Sequence, residues 1–422
     1  MHNSEILASE VIARCQTLAS FSEDTGSTRR TFLSPPMREC FREISAWLEP
    51  LGVAVRMDAA GNLRALYAAA DSNAPRLLIG SHLDTVPDAG AYDGILGVVL
   101  AIALLSALNG RKLAFAIEVI GFSEEEGVRF GVPFLGSRAL VGRLDEDLLC
   151  RQDEQGISIR EAIERFGLPP AEIPRAAMQE ENVLGYVEFH IEQGPVLENL
   201  KCPLAAVEAI AGQTRLEFTF VGRNNHAGTT PMNLRYDAIA GAAEWISSVE
   251  RRAQRTLGLV ATVGTLQVKP GATNVIAGEA RLSLDVRHKA DRIRNTAVGY
   301  FIRQAEEIAR RRGLRAKCNV LVDQRAVLMD QFLVDQIDQA IGETGCTPQR
   351  MVSGAGHDAM ILAERIPCAM IFLRTPGGIS HDRAESVALN DVAQAIDCGS
   401  HLLDQLSASS EFVLRTHRAQ SR

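Results

Sequence analysis

The chain has 422 residues, 46% of them hydrophobic and 23% charged, with a formal net charge of -8. That length exceeds what one core usually organises and predicts two domains. Its Lys and Arg residues are dispersed, with small clusters such as Arg310-Arg311-Arg312, which argues against nucleic acid as the main partner, and no run reaches the roughly 18 apolar residues of a membrane span.

In chain order, residues 37–49 have the spacing of an amphipathic helix, with Met37, Phe41, Ile44, Trp47 and Leu48 on one side. Arg76 to Gly80 reads as a short buried strand that delivers His82 at its carboxyl end. Ile95 to Leu108 is predicted as a buried helix, and Phe115 to Phe122 as a second strand ending at a Glu triplet. Strand, loop, helix, strand, loop is the order of an α/β sheet covered on both faces. Ligands bind such sheets beyond the carboxyl ends of the strands.

The middle of the chain changes character. Thr214 to Val221 alternates polar and apolar, as a strand with one solvated face does. A helix is expected from Asp237 to about Arg255, strands at Leu259–Val268 and Glu279–Val286, a helix over about Asp291–Arg312, and a strand near Leu314–Leu321. Strand, helix, strand, strand, helix, strand fits a ferredoxin-like α+β insert. The expected division is residues 1–211 and 327–422 for a catalytic domain and 212–326 for the insert.

Eight cysteines stand singly, at 15, 40, 150, 202, 318, 346, 368 and 398, with no CxxC pair. The start, Met1-His2-Asn3-Ser4-Glu5, lacks the basic-then-apolar order of a secretory leader. Free thiols in a reducing cytosol are therefore expected, and no thiolate metal site.

Five side chains of metal-ligating type stand in Gly-rich or turn-like frames: His82, Asp93 before Gly94, Glu126 before Gly127, His190 and His381. Each alone is as compatible with a turn former or a satisfied polar group, and Glu124-Glu125-Glu126 alone reads as an acidic helix start. Together they make the set that two divalent ions sharing one carboxylate require. His82, Asp93 and His190 are expected on one ion, and Asp93, Glu126 and His381 on the other. Nitrogen and oxygen donors without thiolate suit Zn, Mn, Co or Ni. Asp84 is placed to accept the second imidazole N–H of His82.

These residues lie in motifs that resemble the hydantoinase/carbamoylase branch of the M20 metallopeptidase clan over about residues 10–405. The motifs are Gly80-Ser81-His82-Leu83-Asp84-Thr85-Val86, Asp93-Gly94, Glu125-Glu126-Gly127-Val128-Arg129-Phe130 and His190-Ile191-Glu192-Gln193-Gly194. They continue with Asn225-His226-Ala227-Gly228-Thr229-Thr230-Pro231-Met232, Ser353-Gly354-Ala355-Gly356-His357-Asp358-Ala359 and Gly378-Ile379-Ser380-His381. The resemblance implies a zinc-peptidase-like catalytic domain with a smaller lid that also dimerises the protein. It makes Glu125 the general base and His226 an oxyanion donor reaching across the homodimer. Arg287 would bind the substrate carboxylate, with Asn274, Gln213 and the backbone around Gly356 completing a polar pocket. His357 is expected behind the ligands and is not counted among them. His288 is undecided, and His2, His401 and His417 read as bystanders.

The substrate so implied is a small acid bearing a ureido group. Members of this branch include allantoate amidohydrolases, N-carbamoyl-L-amino-acid hydrolases and ureidoglycolate amidohydrolases; β-ureidopropionase chemistry is of the same kind. Arg374 ahead of Gly377-Gly378-Ile379-Ser380-His381 favours allantoate over carbamoyl amino acids. A dipeptidase of the clan fits less well, because such enzymes place a carboxylate where this chain has His190. A non-catalytic metal-binding protein fits poorly with a complete ligand set and base.

Overall fold

The structure is a computed structural model that describes residues 3–413. It divides into two compact units: Met1–Glu208 with Met329–Met351 and His357–Arg422, and Ala209–Leu328 with Val352–Gly356.

The first unit is organised around a sheet whose strands run in the order Leu204–Ile210, Cys368–Leu373, Val183–Ile191, Arg76–His82, Ala116–Phe122, Leu63–Tyr67 and Ala54–Met57. The four from Cys368–Leu373 to Ala116–Phe122 are parallel, and the outer ones antiparallel. The parallel strands read as apolar runs because both faces are covered: every residue of Val183–Ile191 and of Ala116–Phe122 is buried. The helix Ile95–Leu108 is apolar on all sides, as expected of a helix enclosed in a core. It packs on strand Arg76–His82 and against helices Asn3–Ser20 and Leu389–Ala408. The loops that follow the four parallel strands begin at Leu83, Ser123, Glu192 and Arg374. The ligand-type residues therefore gather at one end of the sheet, and the positions follow from the topology.

The second unit is a sheet of antiparallel strands in the order Val260–Thr262, Glu279–His288, Gly212–Val221, Arg315–Gln324, with Leu266–Lys269 also paired to Glu279–His288. Helices Ala238–Gln254 and Asp291–Arg311 cover one face. Phe218, Phe220, Trp245 and Phe301 fill the space between, and the Trp245 Nε1–H donates to Phe301 O at 2.9 Å. The strand expected over Leu259–Val268 is two strands. The break falls at residues 263–265, where the Thr265 N–H is taken by the Ser283 hydroxyl at 3.0 Å instead of a ladder carbonyl.

The segment Val352–Gly356 was expected in the first domain and lies in the second unit. Its tie is local: the Ala211 N–H donates to Ser353 O at 2.9 Å, and Arg287 Nη1 donates to Gly354 O.

Candidate metal centre

Strand Arg76–His82 ends on His82, whose Nδ1 lies 3.0 Å from the backbone oxygen of Asp84. Strand Val183–Ile191 carries His190 one residue before its end, with Nδ1 2.9 Å from Ile191 O. A carbonyl only accepts, so each ring carries a proton on Nδ1 and turns Nε2 inward. The two Nε2 atoms are 3.5 Å apart, and lie 3.8 and 3.2 Å from Asp93 Oδ1 for His82 and His190 respectively. Asp93 stands at a tight turn: Gly94, at φ +70°, passes so close to the His82 ring that a Cβ there would sit 2.4 Å from it.

The other oxygen of Asp93 faces a different pair. His381 Nε2 lies 3.1 Å from Asp93 Oδ2 and 3.6 Å from Glu126 Oε1. His381 is reached by a chain that turns at Gly377 and Gly378, both at positive φ, and is itself at φ +57°. Gly378 rests on Gly194-Pro195, where a Cβ would meet the Pro195 nitrogen at 2.9 Å.

Asp84 acts differently from the sequence expectation. Its carboxylate is 3.5 Å from His82 Nδ1, farther than its own backbone oxygen. Instead it accepts the N–H of Glu125 at 2.8 Å through Oδ1 and that of Glu126 at 3.0 Å through Oδ2.

The electrostatics call for positive charge. Burial pushes the Glu125 carboxyl well above the usual range, the charge of His82 opposes this, and the neighbouring acids Glu126, Asp358 and Asp84 add to it. Burial likewise raises Glu126 to about 7, opposed by His82 and reinforced by Asp93 and Asp84. Burial alone would lower His82, but the carboxylates of Asp84, Glu125 and Asp93 hold it well above its ordinary value. Asp93 is held well below its own: burial works against this, and the imidazoles of His190 and His381 against its two oxygens overcome it. Among the described residues no Lys or Arg pairs with Asp93, Glu125 or Glu126, and Asp93 Oδ1 is buried with no hydrogen-bond donor. Two inward Nε2 atoms, which offer lone pairs once an ion displaces their protons, and an orphaned carboxylate oxygen are the donor set a divalent ion takes. Ligand-type atoms of His82, Asp93 and His190 fall within 4.8 Å of one another, as do those of Asp93, Glu126 and His381, and those of His82, Glu125 and Glu126.

In the second unit, Arg287 and Gln213 are cross-strand partners on Glu279–His288 and Gly212–Val221. Arg287 is steadied by Asp285, Nε to Oδ1 at 2.8 Å. His226 and Asn274 lie side by side: His226 pairs with Val275, and the Ala227 N–H donates to Asn274 O at 2.9 Å. The exposed ring of His226 accepts the N–H groups of Gly228 and Thr229 at Nδ1, at 3.1 and 3.2 Å. Its proton is therefore on Nε2, which points a donor outward. His288 is buried, bonded to Leu257 O and to the Ala290 N–H, and serves the strand end. Gly356 closes the piece of chain that joins this unit.

A model of the peptidase family M20/M25/M40 matches residues 78–405. The chain belongs to that family. This M20 chain is 37% identical over 436 residues to allantoate deiminase 2 of Glycine max, covering 96% of the chain and 90% of the relative. It is 36% identical over 387 residues to an N-carbamoyl-L-amino acid amidohydrolase of Geobacillus stearothermophilus, covering 91% and 95%. Among solved structures, a hydantoinase/carbamoylase family amidase from Burkholderia ambifaria superposes with a TM-score of 0.89 at 31% identity, covering 95% of this chain and 98% of that one. The M20 family is metal-dependent, and the clusters above supply candidate ligands in this member.

Three residues of this M20 chain acquire roles that its sequence did not suggest. Gln193, at φ +59°, donates from Nε2 to Asp93 Oδ2 at 2.9 Å. Glu385 accepts the N–H groups of Tyr92 and Asp93. Arg374 forms a two-point pair with buried Asp391, both contacts 2.7 Å, so its guanidinium serves the start of helix Leu389–Ala408 rather than a substrate. Gln193 stood within a recognised motif and Glu385 four residues after His381; each reads in sequence as an ordinary polar loop residue. His357 packs edge-on against His190, ring centres 4.5 Å apart, and burial, with the charge of His190, keeps it well below its ordinary pKa and neutral. It also clusters with Glu188 behind His190. His401 pairs with Glu343, while His2 and His417 lie outside the described residues.

Proposed function

We propose that this protein is a metal-dependent amidohydrolase that cleaves a ureido C–N bond of a small carboxylic acid, with allantoate as the first substrate. The observation that carries the reading is Asp93, whose two oxygens face His82 with His190 on one side and His381 with Glu126 on the other. His82, Asp93 and His190 would hold one divalent ion, and Asp93, Glu126 and His381 a second; Zn, Mn, Co and Ni all suit these donors. Such ions lower the pKa of water and polarise a carbonyl.

Glu125 takes a proton from the attacking water and delivers it to the leaving nitrogen. Asp84 fixes the Glu125 backbone for that task. The His226 Nε2–H stabilises the carbonyl oxygen as it gains charge. Arg287, held through Nε and Nη2 by Asp285, supplies the positive charge for the substrate carboxylate, and Asn274, Gln213 and the backbone near Gly356 read the remaining polar groups. Water replaces ammonia at the ureido carbon, and the carbamate that remains loses carbon dioxide.

The second unit is proposed as lid and dimerisation domain, with His226 serving the partner's site in a homodimer. Eight unpaired cysteines favour a reducing compartment such as the cytosol. Among the described residues no helix is long and apolar enough to cross a membrane. A role in purine breakdown follows if allantoate is the substrate. The Geobacillus relative supports N-carbamoyl-L-amino acids as the second reading. Ammonia release by the Mn-loaded protein, compared across allantoate and a panel of N-carbamoyl-L-amino acids, decides between them. No turnover of any ureido acid, with Glu125→Gln indistinguishable from wild type, would reject both.

A further inference from the structure

Glu385 lies behind the metal-type cluster and belongs to none of the proposed ligand sets. Its side chain is buried, at 5% relative exposure. Among the described residues no Lys or Arg pairs with it; the nearby Arg383 pairs with Asp88 instead. A buried carboxylate of this kind is costly unless its lone pairs are bonded. The bonds it makes all lead to one place. Oε1 accepts the Tyr92 N–H at 2.9 Å and the Asp93 N–H at 3.0 Å. Oε2 is 3.4 Å from the hydroxyl of Ser380, which is also 3.3 Å from Asp93 Oδ2 and precedes His381. The turn before Asp93 is shaped to it: a Cβ on Gly90 would come within 2.4 Å of the Glu385 Cβ and 2.6 Å of its Oε1.

We propose that Glu385 is a positioning residue that locks the Asp93 turn to the His381 loop and thereby forms the second metal position selectively. The proposal rests on the two-ion reading above. His82 and His190 are fixed by strands and by their own carbonyl bonds, without Glu385. His381 lies on a loop, half exposed, and depends on Ser380 and its neighbours for its place. Loss of Glu385 therefore weakens the Asp93–Glu126–His381 position, which loses the tie of its loop as well as of the Asp93 turn, far more than the His82–Asp93–His190 position, which keeps two strand-held imidazoles.

The test is Mn2+ binding at controlled free concentration, by equilibrium dialysis and metal analysis, with thermal unfolding of the metal-free proteins alongside. Wild type is expected to hold two ions per subunit. Glu385→Ala is expected to keep one at near wild-type affinity and to bind the other about 10- to 100-fold more weakly. Glu385→Gln, whose amide oxygen can still accept both N–H groups, is expected to remain within about threefold. Gly90→Ala displaces the carboxylate without removing it and is expected to give the same one-ion protein, which covers the case of Glu385→Ala not folding. Two ions bound with unchanged affinities in Glu385→Ala and Gly90→Ala overturn the proposal, as does equal weakening of both. Wild type that binds fewer than two ions rejects the two-ion reading itself, and this proposal with it.

Discussion

The carboxylate of Asp84 grips the backbone of Glu125: Oδ1 accepts its N–H at 2.8 Å, while Oδ2 takes the next N–H, that of Glu126, at 3.0 Å. A residue two places after one candidate ligand thus fixes the candidate base and another ligand. Asp84→Ala should lower both kcat and metal affinity by about 10- to 100-fold. Asp84→Asn, which keeps one acceptor, should fall between. Metal titration together with steady-state kinetics checks this; an effect on KM alone would contradict it.

Glu125→Gln removes the proton acceptor and leaves a side chain of nearly the same shape. The expected loss is about 10²- to 10⁴-fold in kcat, with metal content unchanged. Because Glu125 is buried beside other acids, the metal-free variant should unfold at a higher temperature than metal-free wild type. Calorimetry reads the stability and turnover reads the role.

Stripping the metal should expose the strain of the acid cluster. In the metal-free protein the carboxyls of Glu126 and Glu385 titrate at about 7, against an ordinary value of 4.5. A carboxyl with a raised folded pKa contributes stability below its ordinary pKa and loses it as pH rises through the folded one. His82 and His190, also raised, act in the same direction. Chelated protein is therefore expected to lose thermal stability between about pH 5 and 8. Restoring Mn2+ should return about 4 kcal/mol when the free ion is roughly 1,000 times its Kd. A melting temperature that rises over this window without metal would contradict the charge balance.

His226 and Glu125 can be separated by mixing. His226→Ala and Glu125→Gln are each expected to be nearly inactive. Coexpressed in one cell, they should form heterodimers in which one site has both groups, and activity should return in part. Failure to recover, with dimers present by light scattering, would show that His226 acts within its own subunit or not at all.

Arg374 supplies a test of specificity. Its two bonds to Asp391 place it in a structural pair, with Asp391 fully buried. Arg374→Met should cost about 3–5 kcal/mol by stranding that carboxylate. The ratio of kcat/KM for allantoate to that for carbamoyl amino acids should not change. A shifted ratio would give Arg374 a part in substrate choice.

Much of this was legible before the structure, for physical reasons. The run Leu77–Gly80 is wholly apolar and Phe115–Phe122 is broken only by Glu118, which Arg64 and Arg76 neutralise; such runs mark strands covered on both faces, and their ends locate His82 and the Glu triplet. Helix Ile95–Leu108 has the boundaries its composition suggests. The division of Leu259–Val268 was hidden because a side-chain bond from Ser283, on another strand, replaces a ladder bond. Asp84 was associated with His82 because it is close in sequence; its partners Glu125 and Glu126 are brought to it by strand pairing of Arg76–His82 with Ala116–Phe122. Glu385 and Gln193 were invisible as site residues, since an acid or amide in a loop has no periodicity and its partners are set by tertiary contact alone. Val352–Gly356 was misassigned for the same reason, its attachment being two hydrogen bonds.

The bond from the Asp93 N–H to Glu385 spans 292 residues of chain. During synthesis, His82, Asp93 and the Glu triplet leave the ribosome early and His190 follows. The loop that carries His381 and Glu385 comes only after the last parallel strand, Cys368–Leu373. A nascent chain thus offers the acid cluster and two imidazoles long before the groups that finish the pocket. Capture of the two proposed ions would then follow translation past Glu385. A product truncated before Thr375 would lack His381, Glu385 and the Arg374–Asp391 pair's helix together, and quality control would meet it as a protein with uncompensated buried charge.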